Sequence, residues 1–130
     1  MEVRSIQPSE ARVVHEFLAA NGWSHRIGSL PQFTALLTAS QRAIVAVAPD
    51  GHVVGFARAI TDGLSNGYLS MVIVAPAFRR QGVGRALVAQ ATAGAPSVTW
   101  LLRAGRSGSS EFFARLGFRS STVAMERGRE

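Results

Sequence analysis

The chain predicts a mixed α/β fold, a single central sheet flanked by helices, and three observations carry that prediction. Its 130 residues, 47% of them hydrophobic, suit one domain with a real core, since a chain of this size buries roughly two thirds of its unfolded surface. Short apolar runs alternate with stretches of helical periodicity, in the order strand, two helices, three strands, helix, strand, helix, strand. Two of the apolar runs flank Pro49-Asp50-Gly51, a turn that makes them antiparallel partners. The domain is expected to span residues 1–130.

Taken in order, residues 3–7 (VRSIQ) alternate like a short strand. Pro8-Ser9 introduces the first helix, with Ser9 as its N-cap and Val13, Val14, Phe17 and Leu18 on one face; Asn21-Gly22 stops it. After an irregular stretch carrying Trp23, His25 and Arg26, a second helix places Phe33, Leu36 and Leu37 at helical spacing. Residues 42–48, 53–61 and 68–74 read as strands. From Val83 the pattern is helical again, with Val83, Leu87 and Ala91 in one stripe, and Gly94-Ala95-Pro96 ends it. Residues 98–102 (VTWLL) read as a buried strand, SSEFFARL as a helix, and Phe118 to Met125 as a closing strand.

Composition removes several chemistries. There is no cysteine, so no disulfide, zinc-thiolate site, iron–sulfur cluster or cysteine nucleophile exists. All 14 basic residues counted as Lys+Arg are arginine, which excludes a P-loop lysine and a pyridoxal Schiff base. The three histidines, His15, His25 and His52, share no metal-ligand spacing, so no metal is expected. No apolar run approaches the ~18 residues of a membrane span, and the opening MEVRSIQPSE lacks a signal-peptide core; the expectation is a soluble cytoplasmic protein with no membrane partner. A net charge of +6 and a pI near 11.6 point to an anionic ligand. Nucleic acid fits less well than a polyphosphate, because the arginines are scattered and few aromatics interleave with them.

The informative stretch is YLSMVIVAPAFRRQGVGRALVAQA. A strand ends at Val74, a loop follows, and Gly82 and Gly84 open a helix. Glycine lets backbone approach a ligand closely, and the first helical amides are unpaired and point outward. Arg79, Arg80 and Arg85 stand around the same spot, completing an anion cradle suited to a pyrophosphate. The dinucleotide fingerprint fits poorly, because the glycines do not follow the strand directly and Leu87 fills the third-glycine position.

This stretch resembles motif A of the GNAT superfamily of N-acetyltransferases, a strand ending in V-x-P, an aromatic, then R/Q-x-x-G-x-G/A. It reads here Val74-Ala75-Pro76-Ala77-Phe78-Arg79-Arg80-Gln81-Gly82-Val83-Gly84. Glu111 to Phe118 (EFFARLGF) is similar to the downstream FYxxLGF signature, and the order of elements agrees from end to end. The resemblance implies a mainly antiparallel sheet splayed between its fourth and fifth strands. It implies acetyl-CoA as cofactor, with the pyrophosphate on Arg79, Arg80, Gln81, Gly82, Val83 and Gly84, Arg85 beside it, and the pantetheine arm against the backbone of Val72, Ile73 and Val74. It further implies direct transfer of acetyl to an amine.

That chemistry needs a neutral amine, a polarised thioester carbonyl and a stabilised thiolate. The family tyrosine of FYxxLGF is Phe113 here and donates no proton, and Arg106 replaces an asparagine common before that signature. Asp62, in Thr61-Asp62-Gly63, is the expected carboxylate base, and Tyr68 an alternative proton relay through water. Trp23 and Phe33 are expected to wall the acceptor pocket. The expected activity is acetylation of a small-molecule amine. Acetylation of a protein N-terminus or lysine, and a CoA-binding sensor that has lost catalysis, are the alternatives. The sequence leaves the oligomeric state, a homodimer included, undecided.

Overall fold

In the computed structural model, which describes residues 1–129, the apolar runs assemble into one sheet whose five strands lie in chain order. Strands β1 (Glu2–Ser5), β2 (Arg42–Val47), β3 (Val53–Thr61) and β4 (Asn66–Val74) are successively antiparallel, and β5 (Thr99–Leu102) pairs with β4 in parallel. A parallel pair needs a crossover, and helix α4 (Val83–Ala91) supplies it. Between β1 and β2 lie α1 (Ala11–Leu18), α2 (Ser24–Ile27) and α3 (Leu30–Thr38); α5 (Ser109–Arg115) follows β5.

Two cores result, one on each face of the sheet. On one side α4 presents Val83, Leu87, Val88 and Ala91 to Ile44, Ala46, Ala57 and Ala59, with Phe113 of α5 joining them. On the other, Val14 and Leu18 of α1 and Phe33 of α3 cover Val45, Phe56, Met71 and Ile73. Full burial of each large aliphatic side chain contributes roughly 1.5–3 kcal/mol, so these faces hold the helices to the sheet.

Local chemistry sets the ends of the helices. Ser29 caps α3: its hydroxyl accepts from the Gln32 N–H at 3.3 Å, and the Gln32 side chain accepts from the Ser29 N–H at 2.7 Å, a reciprocal capping box. Ser9 does not cap α1 as expected. Pro8–Glu10 form a 3-10 turn instead, because Glu10 accepts from the Gln7 N–H at 2.8 Å while Arg4 of β1 grips both its oxygens. Val13 also departs from its expected face and is 47% exposed.

Two further expectations are corrected at the far edge of the sheet. Strand β5 is half exposed rather than buried. Residues 118–125 form no strand. The polar run Arg119-Ser120-Ser121-Thr122 has no apolar face to bury, and the Ser121 hydroxyl accepts the N–H groups of Val123 (3.1 Å) and Ala124 (2.9 Å), which turns the backbone away from a ladder.

Candidate active site

The sheet forks. Pairing of β4 with β5 runs from Asn66↔Thr99 to Leu69↔Leu102 and stops there, while β4 continues to Val74. At the same point Ser70 has no partner on β3, since Arg58 faces Met71 and Ala59 faces Leu69. This β-bulge bends and twists the strand. It also exchanges faces: Leu69 belongs to the α4 core, while Met71 and Ile73 belong to the core under α1 and α3. Beyond the fork, the backbone of Val72, Ile73 and Val74 has no neighbouring strand on the β5 side.

The free edge leads directly into the motif loop. The Ala75 N–H donates to the Val54 carbonyl at 2.8 Å, and a 3-10 turn at Pro76–Phe78 redirects the chain. Arg80 (φ 63°) and Gly82 (φ 82°) both adopt the left-handed conformation. A left-handed arginine is uncommon; alternating it with Gly82 rolls successive N–H groups toward one side, as in an anion nest. Among the described residues, the N–H groups of Arg80, Gln81 and Gly82 donate to no protein acceptor. A Cβ on Gly82 would meet nothing within 4 Å, so the loop beside these amides is uncrowded.

Gly84 serves a different purpose. A Cβ there would lie 2.9 Å from Cζ of Phe112, so the glycine admits the α5 aromatic against α4. Val83 is buried and contributes only backbone to the loop. Gln81 folds back to donate to the Ala77 carbonyl at 3.2 Å, and Arg79 Nε donates to the Val74 carbonyl at 3.1 Å. Arg79, Arg80 and Arg85 are exposed, and no carboxylate among the described residues pairs with them. The structure therefore brings the sequence-identified cradle residues together around unpaired amides and uncompensated positive charge.

The catalytic and acceptor candidates separate. Oδ1 of Asp62 accepts the N–H groups of Ser65 (2.8 Å), Leu64 (2.8 Å) and Asn66 (3.1 Å), and these bonds hold its carboxyl below the usual carboxylate range. A carboxylate so stabilised is a weak base, and it sits in the β3–β4 turn with Oδ1 taken by three backbone amides. Tyr68 lies nearer the fork, opposite Ile60 on β3 and Leu101 on β5. Phe33 is 0% exposed and packs edge-on to Phe56, so it is core and offers no free face to an acceptor. Trp23 is half-buried. The Arg106 guanidinium lies 4.4 Å from its ring centroid, a cation–π contact, and donates to the Gly22 carbonyl at 3.4 Å.

Phe113 packs between Phe112 and Phe118, with ring centroids 4.9 and 5.8 Å away, and carries no hydroxyl. Ser109, the first residue of α5, donates its hydroxyl to the Arg106 carbonyl at 2.6 Å, which ties the helix to the turn before it. The sequence reading overlooked Arg58, the one buried charged side chain among the described residues, in the middle of an apolar strand. The signal was present, since an arginine interrupts the run VVGFARAIT. Among the described residues no group of acids and histidines is placed to hold a metal.

Comparison with known proteins agrees with this geometry. Residues 40–120 match the family model described as an acetyltransferase (GNAT) domain. No curated protein matches the chain. Among solved structures, a GNAT-family acetyltransferase from Streptococcus pneumoniae TIGR4 is 24% identical with a TM-score of 0.75, covering 99% of this chain and 97% of that one. An acetyltransferase from Trypanosoma brucei is 22% identical with a TM-score of 0.70, covering 98% and 99%. The aminoglycoside N-acetyltransferase AAC(6')-Iy, solved with a bisubstrate analogue, is 21% identical with a TM-score of 0.74, covering 98% and 97%. The forked sheet, the loop of free amides and the family match over residues 40–120 converge: the chain belongs to the GNAT acetyltransferase family.

Proposed function

We propose that this protein uses acetyl-CoA to acetylate a small-molecule amine. The observation that carries the reading is the continuity of the free β4 edge with the loop of unpaired amides. An extended, amide-bearing arm and an attached diphosphate would be recognised by two parts of one segment, the β4 edge at Val72 to Val74 and the amides of Arg80 to Gly82, joined by the internally bonded turn at Pro76–Phe78. The residues fit such a ligand. The Gly82 cradle is open, and Arg79, Arg80 and Arg85 supply positive charge beside the start of α4. An anion at a helix N-terminus gains typically 0.3–1 kcal/mol, more when partly buried. The fold shared with AAC(6')-Iy, which has been solved with CoA, supports the same reading.

When bound, acetyl-CoA supplies an acyl thioester. The chain's own part is to hold and orient it. The amides of Arg80 to Gly84 and the three arginines would anchor the diphosphate, while the Arg79 N–H is held by the Pro76 carbonyl. The β4 edge aligns the arm and offers an N–H to a developing oxyanion. Tyr68, on the strand that leads to the fork, gives an amine's proton a route to water. With neither cysteine nor lysine in the chain, direct transfer without a covalent enzyme intermediate suits these residues.

Phe113 favours a second reading, a CoA-binding sensor without turnover, because the family's tyrosine hydroxyl is missing. One experiment tests both: thiol release from acetyl-CoA with a panel of amines, alongside calorimetry of CoA binding. Turnover with a small amine supports the enzyme. Tight CoA binding with no thiol released by any amine supports the sensor, and absence of CoA binding removes both.

A further inference from the structure

Arg58 is 6% exposed, and a buried charge ordinarily has an opposite charge beside it. Here its Nε donates to Ser40 Oγ at 2.9 Å, and that hydroxyl is itself fixed by donating to the Leu36 carbonyl at 2.6 Å. No carboxylate among the described residues bonds the guanidinium. The charged or titratable groups felt there are Tyr68 and a second cation, Arg129. Its two terminal nitrogens have no partner among the described residues, yet they are not sealed off, since the one sealed and unpartnered side-chain nitrogen is Trp23 Nε1. The outer half of a rigid donor fork is oriented and left free.

Its surroundings suit an amphipathic ligand. Arg58 stands two residues from Ile60 on β3 and so shares its face; Ile60 lies opposite Tyr68, and Tyr68 opposite Leu101. The helices do not reach this end of the sheet, and Ile60 and Leu101 remain 43% and 45% exposed. Arg58 is also opposite Met71, the residue next to the bulge, which puts the cation beside the fork. Toward β5, Tyr68 opens onto a cavity of about 920 Å³ whose charged lining, among the described residues, is Arg103, Arg119, Arg127 and Arg129 against Glu111 and Glu126. Of the two acids, Glu126 is already paired with Arg103 at 2.6 Å. The region attracts anions.

We propose that Arg58 binds a carboxylate of the acceptor, so that the acceptor is an amino-acid-like amine, with an apolar body lying on Ile60, Tyr68 and Leu101. This inference rests on the acetyltransferase reading and names its substrate class. Arginine suits the task because its planar fork matches a carboxylate bidentately, which an ammonium does not. Burial among apolar side chains strengthens the pair, because water competes weakly there.

The test compares leucine and phenylalanine with their carboxamides as acceptors in the thiol-release assay. The carboxamides have the less basic amines, so any bias in the neutral fraction runs against the expected result. Wild type should prefer the free acids by at least about tenfold in kcat/KM, the scale of one charge-assisted hydrogen-bonded contact. In Arg58→Met that ratio should fall to one or below, mainly through KM, and Arg58→Lys should recover part of it. A second arm needs no turnover: calorimetry of 3-phenylpropanoate against 3-phenylpropanamide, with and without CoA, on wild type and Arg58→Met. Preference for the acid in wild type and its loss in the variant supports the site. Equal binding of acid and amide by wild type, or a preference that survives Arg58→Met, overturns it. If Arg58→Met does not fold, the wild-type preference and the Arg58→Lys variant decide. CoA-dependent turnover without carboxylate preference sinks the subsite and leaves the acetyltransferase reading. Carboxylate binding without CoA binding or turnover does the reverse.

Discussion

A side chain at position 82 would stand in open space on the loop that carries the free amides of Arg80 to Gly82. Gly82→Glu should abolish CoA binding, since its carboxylate would occupy the cradle and repel phosphate. Gly82→Ala is the control, because it carries the left-handed backbone cost of roughly 1–2 kcal/mol without the charge. Calorimetry on folded variants checks this, and an unchanged CoA affinity in Gly82→Glu would remove the cradle assignment. Asp62 belongs to stability instead. Its folded-state pKa is depressed by the amides of Ser65, Leu64 and Asn66. Its contribution is therefore present above the unfolded value of about 3.9 and is lost as pH falls through the lower folded value. Asp62→Ala should lower Tm at pH 7, with the gap to wild type closing below about pH 4. A gap independent of pH would show that the three hydrogen bonds do not act through the charge. Tyr68→Phe tests the proton route. Loss of a positioned acid–base group costs about 10²- to 10⁴-fold, so kcat should fall at least tenfold at neutral pH and recover partly in alkali. Full activity in Tyr68→Phe would leave proton removal to water alone.

At the scale of elements, the packing of α5 on α4 depends on Gly84. Gly84→Val should drive Phe112 out of place and cost about 1–3 kcal/mol, the usual range for overpacking. Phe112→Ala should relieve part of that in the double mutant, and denaturant titration of the cycle reads the coupling. Purely additive effects would mean the two helices do not meet there. The strands and helices of the sheet were legible because their signals are local. The alternation and turn residues around Pro49-Asp50-Gly51 set β2 and β3, and the Gly82 boundary set α4. The bulge at Ser70 was not legible: the MVIV that follows it is apolar without a break, and an inserted residue is visible only against the pairing partner. Residues 118–125 misled because their apolar residues suggested a strand, whereas Ser121 claims the backbone N–H groups that a ladder would need.

For the whole molecule, the motif loop was readable from sequence because one contiguous segment builds it. The acceptor side was not, because residues distant in sequence meet there. Phe33 and Trp23 looked alike as aromatics, yet the fold buries one in the core and places the other under Arg106. Arg58 is meaningful only once Ser40, Tyr68 and Leu101 are seen around it. The excess of arginine has a similar duality, since most of it is solvated while three residues ring the cradle. The fork has a last consequence, for cohesion. Strand β4 is an interior strand for its first half and an edge strand for its second, so a ligand lying along Val72 to Val74 would complete the sheet like a missing strand. Occupancy and rigidity should then rise together, with stabilisation growing as RT ln(1 + [L]/Kd). Hydrogen exchange should show this locally. The outward amides beyond Ser70 should exchange quickly in the free protein and slow markedly with CoA, while those of Asn66 to Leu69, already flanked by β5, should change little. The protein would be stiffest while at work and loosest between turnovers.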